Sequence, residues 1–186
     1  TTSISVSGTS NLGANVTTSG TQTYTGATTL SGGDRTLTGS TVNFGAAVTG
    51  TTSHDLIITG NLDLDGALTD VVYLSVSGTS NLGANVTTSG TQTYTGATVL
   101  STDVTLTTTD SNVTFSSTVD GDGTARDLII DTNGNTGTIQ FAGLVGNSND
   151  LDAITITGNL DLDAAIANTT SISVSGTSNL GANVTT

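Results

Sequence analysis

The chain has 186 residues, contains no Pro, Cys, Met or Trp, and carries 15 acidic residues, all Asp, against two basic ones, Arg35 and Arg126. The net charge of −13 excludes electrostatic binding to nucleic acid or anionic lipid, whereas binding of divalent cations is compatible with this charge. Because Lys and Glu are absent and Thr is the commonest residue, extended backbone is favoured over helix. No apolar run reaches the roughly 18 residues of a membrane span, so we predict an all-β segment that does not insert into a membrane.

The chain contains identical internal repeats. Residues Thr1–Thr18 recur letter for letter as Thr169–Thr186, and residues Ser5–Thr28 recur as Ser75–Thr98. We predict that residues 1–168 form one period of a tandem array, with sub-repeats 1–70 and 71–168, and that residues 169–186 begin the next period. A repetitive chain presents the same surface repeatedly, whereas an enzyme needs different groups that converge on one pocket. The repetition therefore favours a scaffold.

Along the chain, apolar residues alternate with polar ones in short runs, which is the periodicity of strands with one buried face. Clusters rich in Gly, Asn, Ser and Asp separate the runs and predict turns. The clean alternation also argues against disorder. The clearest runs are Ile4 and Val6, Leu62 and Leu64, Leu74 and Val76, Val104 and Leu106, Ile154 and Ile156, and Leu160 and Leu162.

The spacing of these runs selects the architecture. They recur about every ten residues, so two runs and their turns span roughly twenty residues, close to one coil of a solenoid. We predict a parallel β-solenoid of about eight coils per period, with Val, Ile, Leu and Ala inside and Thr and Ser outside. The alternative is a string of antiparallel sandwich modules, although such domains usually carry more aromatic core residues and Pro-containing turns than this chain.

The runs NLGANVTTSGTQTYTGATTL and DLIITGNLDLD resemble the repeat regions of large bacterial surface proteins, the filamentous-haemagglutinin-like and autotransporter-like adhesins. The resemblance covers nearly the whole chain and is one of Thr-, Gly- and Asn-rich alternation. It implies a secreted, rod-like, right-handed β-helix at the cell surface. We therefore expect an extracellular structural or adhesive segment of a giant repeat protein, which contacts neighbouring repeats or copies of itself end to end, or glycans.

Two Asp-containing turns are candidate metal ligands. The segments Asp120-Gly121-Asp122 and Asp131-Thr132-Asn133-Gly134-Asn135 place oxygen donors at alternate positions around a Gly, as fragments of calcium loops do. Neither is a complete twelve-residue loop, and the alternative is a pair of solvated turns. We therefore predict an optional calcium site whose ligands are Asp120, Asp122, Asp131 and Asn133, and no other cofactor.

Paired aspartates also recur in the repeated segment NLDLD. If the leucines point inward, Asp63 and Asp65 project outward together, as do Asp161 and Asp163. Stacked carboxylates repel one another unless a cation or turn amides intervene.

Two further functional classes remain open. The cluster Ser53-His54-Asp55 suggests a hydrolase, but adjacent residues on a strand point to opposite faces and cannot form a relay. A polysaccharide-active enzyme would also need convergent charged groups, and Lys is absent; we predict no enzyme.

Ladders of Thr on a flat face would suit an ice-binding protein, with candidates at Thr21, Thr23, Thr25, Thr91, Thr93, Thr95, Thr105 and Thr107.

Overall fold

The computed structural model describes residues 1–51, 54–134 and 136–186. These residues form 23 strands and no helix, and so contain no helix long and apolar enough to cross a membrane. The strands are β1 (Ile4–Val6), β2 (Ser10–Leu12), β3 (Val16–Thr17), β4 (Gln22–Tyr24), β5 (Thr28–Leu30), β6 (Arg35–Phe44), β7 (Val48–Thr49), β8 (Leu56–Leu64), β9 (Leu68–Val71), β10 (Leu74–Val76), β11 (Ser80–Leu82), β12 (Val86–Thr88), β13 (Gln92–Tyr94), β14 (Thr98–Leu100), β15 (Val104–Thr107), β16 (Val113–Phe115), β17 (Val119–Gly121), β18 (Arg126–Asp131), β19 (Thr138–Phe141), β20 (Leu151–Thr157), β21 (Asn159–Leu162), β22 (Ser171–Val174) and β23 (Ser178–Leu180).

The strands stack in three columns, one for each side of a coil, which we name faces A, B and C in the order the chain visits them. Face A holds β1, β4, the second halves of β6 and β8, β11, β14 and β17; face B holds β2, β5, β7, β9, β12, β15, β18, β20 and β22; face C holds β3, the first halves of β6 and β8, β10, β13, β16, β19, β21 and β23. Beyond β17, face A continues through single bridges at Val145, Ile166 and Val184. The nine strands of face B mark nine coils.

Every strand pairing among the described residues is parallel, which confirms the β-solenoid and excludes antiparallel sandwich modules. The coils differ in length. A short coil runs from Leu12 to its ladder partner Leu30, and a long one runs from Phe115 to its partner Phe141, so the coils lie on either side of the predicted length. The long coil gains its extra residues at the corners before and after β18.

Faces C and A join into one sheet because β6 and β8 run through the corner between them. Gly60 lies at that corner with φ of +133°, and a Cβ on it would collide with the carbonyl oxygen of Gly39 in the preceding coil. Only Gly combines this φ with so close a backbone approach. Gly158 has φ of +147° at the matching place in the second copy of the segment ITGNLDLD.

The core is a single narrow cluster of inward Leu, Ile, Val, Tyr and Phe side chains that runs the length of the solenoid. Each fully buried Leu or Val contributes roughly 1.5 to 3 kcal/mol relative to exposure. Inside this core Tyr24 stacks on Phe44 with ring centroids 5.5 Å apart, and Phe115 stacks between Tyr94 and Phe141 at 5.1 and 5.3 Å. The prediction that Ala joins the core is wrong: Ala27, Ala47 and Ala67, for example, lie exposed at corners.

Identical sequences occupy different faces. Val6 lies on face A, its copy Val76 lies on face C, and the third copy Val174 lies on face B. Each copy is therefore displaced from the one before it by a third of a turn. The physical reason is that a short coil divides into three units of equal length, each with inward residues and a turn, and any unit fits any face. The division of the chain into periods and sub-repeats stays a prediction.

Candidate functional site

Asp122 lies on an exposed corner, where it pairs with an arginine. Arg126 donates from Nε and Nη2 to the two carboxylate oxygens of Asp122 at 3.1 and 2.9 Å, and the backbone N–H of Thr124 also donates to it. The hydrogen bond from Arg126, followed by that from Thr124, holds the pKa of Asp122 below its usual range. A cation at Asp122 would therefore compete with the guanidinium of Arg126.

The other three predicted calcium ligands bond to backbone or form a turn. Asp120 is buried and accepts the N–H of Ser148 at 2.9 Å, across to the next coil. Asp131 accepts the N–H of Asn133, whose φ of +57° closes a tight turn. Asn135 lies outside the described residues. Among the residues that the structure describes, no three or more Asp, Glu, His or Cys side chains come together in a way that could hold a metal ion. Calcium binding stays a prediction, which melting with and without a chelator tests.

Side-chain amides separate the stacked carboxylates of the NLDLD segments. On face A, Asn43 and Asn81 donate from Nδ2 to the two oxygens of Asp63, each at 2.8 Å, from the coils below and above. In the second copy, now on face C, Asn179 donates to Asp161 at 2.8 Å. The inward leucines of the first copy are buried, as the alternation predicts. At Asp63 and Asp161 the intervening groups are therefore side-chain amides of neighbouring coils, where the sequence predicted a cation or turn amides.

Replacing Asp63 by Asn is expected to destabilise the solenoid by about 1.5 kcal/mol, the lower end for a hydrogen bond to a charged group, because Asp63 is half-exposed. The new amide would turn a donor toward one of the two flanking donors. The matched control is Asp65→Asn, which removes the same charge from an exposed corner and should change stability by less than about 0.5 kcal/mol. Urea unfolding of both variants measures this difference. Equal midpoints would show that the hydrogen bonds from Asn43 and Asn81 to Asp63 do not contribute to stability.

Asn side chains also close the corners between coils. Asn15 accepts the N–H of Thr36 at 3.0 Å, and its copy Asn85 accepts the N–H of Thr105 at 2.8 Å. The same bond recurs from Thr79 to Asn61 and from Thr177 to Asn159 at the glycine corners. At these four places the Asn side chain satisfies a backbone donor that the strand ladder leaves unpaired. Sequence reasoning missed them; the signal was an Asn placed one coil before a Thr at a bend or near the start of a strand.

Two buried polar networks repeat inside the core. Tyr24 donates its hydroxyl to Gln22 Oε1 at 3.1 Å, and Gln22 Nε2 donates to the carbonyl oxygen of Thr38 at 2.8 Å. Tyr94 and Gln92 form the same pair at 3.0 Å on face C. Burial raises the pKa of both tyrosines, so each stays a hydrogen-bond donor. The inward Gln and Tyr of the segment TQTY are therefore structural.

Arg35 is the buried cation of the first sub-repeat. It is 5% exposed, and its Nε donates to the carbonyl oxygen of Leu12 at 2.7 Å, while Nη2 has no partner among the described residues. In the second sub-repeat Val104 takes its place, directly before the Thr that bonds the corner Asn. A buried, incompletely bonded charge contributes little net stability.

Replacing Arg35 by Val is therefore expected to leave stability unchanged within about 1 kcal/mol or to raise it. The second sub-repeat already has Val, Val104, at the position that corresponds to Arg35. Thermal and urea unfolding of Arg35→Val against the parent chain measure the effect. A loss of more than about 2 kcal/mol would mean that the bonds from Arg35 to the carbonyl oxygens of Leu12 and Asp34 outweigh the burial of its charge.

His54 lies half-buried at a corner between faces B and C, and its carbonyl oxygen accepts the N–H of Val72 in the next coil. The adjacent Asp55 donates its N–H to the carboxylate of Asp34. Burial, and then the charge of Asp34, raise the pKa of Asp55. Ser53, the third member of the predicted cluster, lies outside the described residues.

The threonines of TQTYT do not form a ladder. Thr23 has Ser5 and Asn43 as its neighbours, and Thr93 has Ser75 and Thr114. Face B instead carries two runs of paired threonines, Thr29–Thr49–Thr69 and Thr87–Thr107, and the register shifts between them where β9 pairs with β12. Only Thr107 belongs to the candidates predicted from sequence. The missed signal was a Thr that directly follows an inward residue and recurs once per coil in five consecutive coils.

No protein-family model, curated protein or solved structure matches the chain. The class of protein is therefore defined by the fold alone: a parallel β-solenoid of nine coils with three strand faces. Its surface carries hydroxyl, amide and carboxylate groups arranged in ladders.

Proposed function

We propose that this chain is a structural segment of an extracellular rod or filament. The observation that carries the proposal is the unbroken parallel ladder of face B, in which nine strands follow one another without a reversal. Such a ladder lengthens the molecule by about 4.8 Å per coil. Each coil contacts only its neighbours, so length is added without any change in cross-section.

Stiffness is the physical property that a rod needs, and three features support it. Backbone hydrogen bonds join each coil to the next on every face, Asn side chains close the corners, and aromatic rings stack along the core. Because the polar groups at the bends are bonded between coils, bending would break several bonds at once.

The resemblance of the repeats to bacterial surface adhesins supports placement outside the cell and contact with further repeats, copies of the chain or glycans. The role we propose is non-catalytic and needs no cofactor; turnover of any member of a polysaccharide panel would overturn it. The absence of cysteine suits a segment whose folding does not depend on disulfide formation.

Electron microscopy of linked copies tests the rod directly. Residues 1–168 joined two, three and four times in tandem should give a thin thread of constant width that lengthens by about 40 Å per added copy. Beads on a string, or a length that does not grow with copy number, would overturn the proposal. A glycan array probed with the longest thread then tests the adhesive role.

A second candidate function, ice binding, is favoured by one observation, the two runs of paired threonines on face B. Thr29, Thr49 and Thr87 are exposed on it, and ladder neighbours lie about 4.8 Å apart. The two runs are separated by a register shift, and they end at Asn11 on one side and at Asp131 on the other. Thermal hysteresis in the presence of the chain tests this candidate, and its absence removes it.

A further inference from the structure

Tyr73 is the exposed aromatic residue of the solenoid. The chain has three Tyr and three Phe; Tyr73 is 47% exposed, and the other five are buried. It lies where the chain departs from its repeat, because the two other copies have Ser3 and Ser171 at this position. A Cβ on Gly90 in the next coil would collide with the Tyr73 ring. The ring therefore rests against that backbone and leaves much of its surface in solvent.

Two carboxylates continue the column of residues below Tyr73. Asp34, Asp55 and Tyr73 lie one residue before three consecutive ladder partners on face C, and ladder neighbours are about 4.8 Å apart. The N–H of Asp55 donates to the carboxylate of Asp34 at 3.1 Å. Burial, and then the charge of Asp34, raise the pKa of Asp55, while the backbone N–H of Tyr73 lowers it. We name Asp34, Asp55 and Tyr73 the aromatic acidic corner.

The second sub-repeat contains the same acidic column with different neighbours. The N–H of Asp127 donates to the carboxylate of Asp103 at 3.2 Å, and Ala153, in place of the tyrosine, donates its N–H to Asp127 at 2.9 Å. Arg126 lies directly before Asp127. The hydrogen bond to Asp122, followed by the charges of Asp122 and Asp103, raises the pKa of Arg126. A guanidinium of the chain itself therefore acts on the second column.

In the part of the chain that the structure describes, the first column has no exposed guanidinium. His54 precedes the segment DLII in the first sub-repeat, whereas Arg126 precedes it in the second. Arg35 is adjacent to the corner, but its guanidinium is buried and donates to the carbonyl oxygens of Leu12 and Asp34. The first sub-repeat thus has a histidine and an exposed aromatic ring where the second has an arginine and an alanine.

We propose that the aromatic acidic corner binds the guanidinium group of an arginine side chain from a partner polypeptide. The guanidinium is planar, so it stacks on an aromatic ring, and its donors are arranged to meet carboxylates. The partner would supply from outside the positive charge that Arg126 supplies in the second sub-repeat. The net charge of −13 attracts such a partner. A neutral sugar would also cover the ring, but it would leave the stacked carboxylates without a countercharge.

The surroundings of the corner fit an arginine better than a bare metal ion. Ile57 is 39% exposed and lies diagonally below Tyr73, so it offers apolar surface to the methylene stem of an arginine. A carboxylate has about four acceptor positions, and the N–H of Asp55 takes one of those of Asp34. A metal ion would use neither the ring nor Ile57. The inference goes beyond the rod itself and assigns it a binding site.

Nuclear magnetic resonance of the full chain tests the site with a small probe, N-acetyl-arginine amide. With isotope-labelled tyrosine, the ring signals of Tyr73 should move in a saturable way, while those of the buried Tyr24 and Tyr94 stay in place. The citrulline counterpart of the probe has the same shape without the charge, and it should bind at least about tenfold more weakly. Equal binding of the two probes, or no movement of the Tyr73 signals, overturns the proposal.

Variants assign the binding to the corner, with circular dichroism to confirm that each is folded. Tyr73→Ala, which matches Ala153 of the second column, and Asp55→Asn should each weaken binding about fivefold, as followed through the backbone amide signal of Ser75. Tyr73→Phe keeps the ring and should stay within about twofold of the parent chain. Asp65→Asn removes one charge at a different corner and should also stay within about twofold, because salt screens charges beyond about 8 Å.

Two further outcomes would contradict the arginine site. Binding by Tyr73→Ala that equals binding by the parent chain would show that the ring takes no part. Methyl glucoside that moved the Tyr73 signals as far as the arginine probe would show that the corner selects a sugar face and not a cation. All of these titrations use single chains in solution, so their failure is separate from failure of the rod, which is judged by the length of linked copies.

Discussion

Replacing Val76 by Asp is expected to unfold the middle of the solenoid, whereas the same replacement at Val6 should leave it folded. Val76 is fully buried on face C, with Ile58 below it and Tyr94 above it in the ladder. A carboxylate there would have neither water nor a partner. Burying an unpaired charge belongs to the largest single-residue effects, more than about 4 kcal/mol.

Val6 provides an unusually close control because residues Ser5–Thr28 repeat Ser75–Thr98 without change. Among the residues that the structure describes, Val6 has one ladder neighbour, Tyr24, and it is half-buried. Its replacement by Asp should therefore cost less than about half as much as that of Val76. Circular dichroism during urea unfolding measures both variants. Equal losses would show that the coils are not stabilised by being stacked between neighbours.

The difference between these two valines illustrates what local sequence determines and what it does not. The alternation around Val6 and Val76 predicts, at both places, a short strand with the valine inward, and the structure confirms it. The depth of burial depends on the coils above and below, which belong to segments a full coil away along the chain. Period-two alternation and turn spacing were therefore sufficient for the fold class, parallel stacking and mean coil length.

The third-of-a-turn displacement between copies was not predictable from the repeats. It depends on the total length of the intervening coils, including the extra corner residues on either side of β18, and each short repeating unit is compatible with all three faces. Partners of polar side chains were missed for the same reason. Asp63 receives its two amides from Asn43 and Asn81, and only the register of three coils brings these residues together.

The second large effect is expected at Phe115, the middle ring of the longest aromatic stack. Its ring centroid lies 5.1 Å from that of Tyr94 and 5.3 Å from that of Phe141, with nearly parallel planes. Replacing Phe115 by Ala should cost about 3 to 5 kcal/mol, because it leaves a cavity in a closely packed core and removes two ring contacts. Urea unfolding measures this loss.

Phe44 is the matched comparison, since it is equally buried but stacks on a single ring, that of Tyr24, and has Leu64 as its ladder neighbour on the other side. Phe44→Ala should cost less than Phe115→Ala by about 0.5 to 1.5 kcal/mol, the contribution of one aromatic pair beyond its buried area. Phe115→Leu, which retains most of the volume, separates stacking from packing. If Phe115→Leu were as stable as the parent chain, the rings would act through volume alone. A solenoid core has few atoms per coil, so a lost ring also loosens the stacking of both adjacent coils.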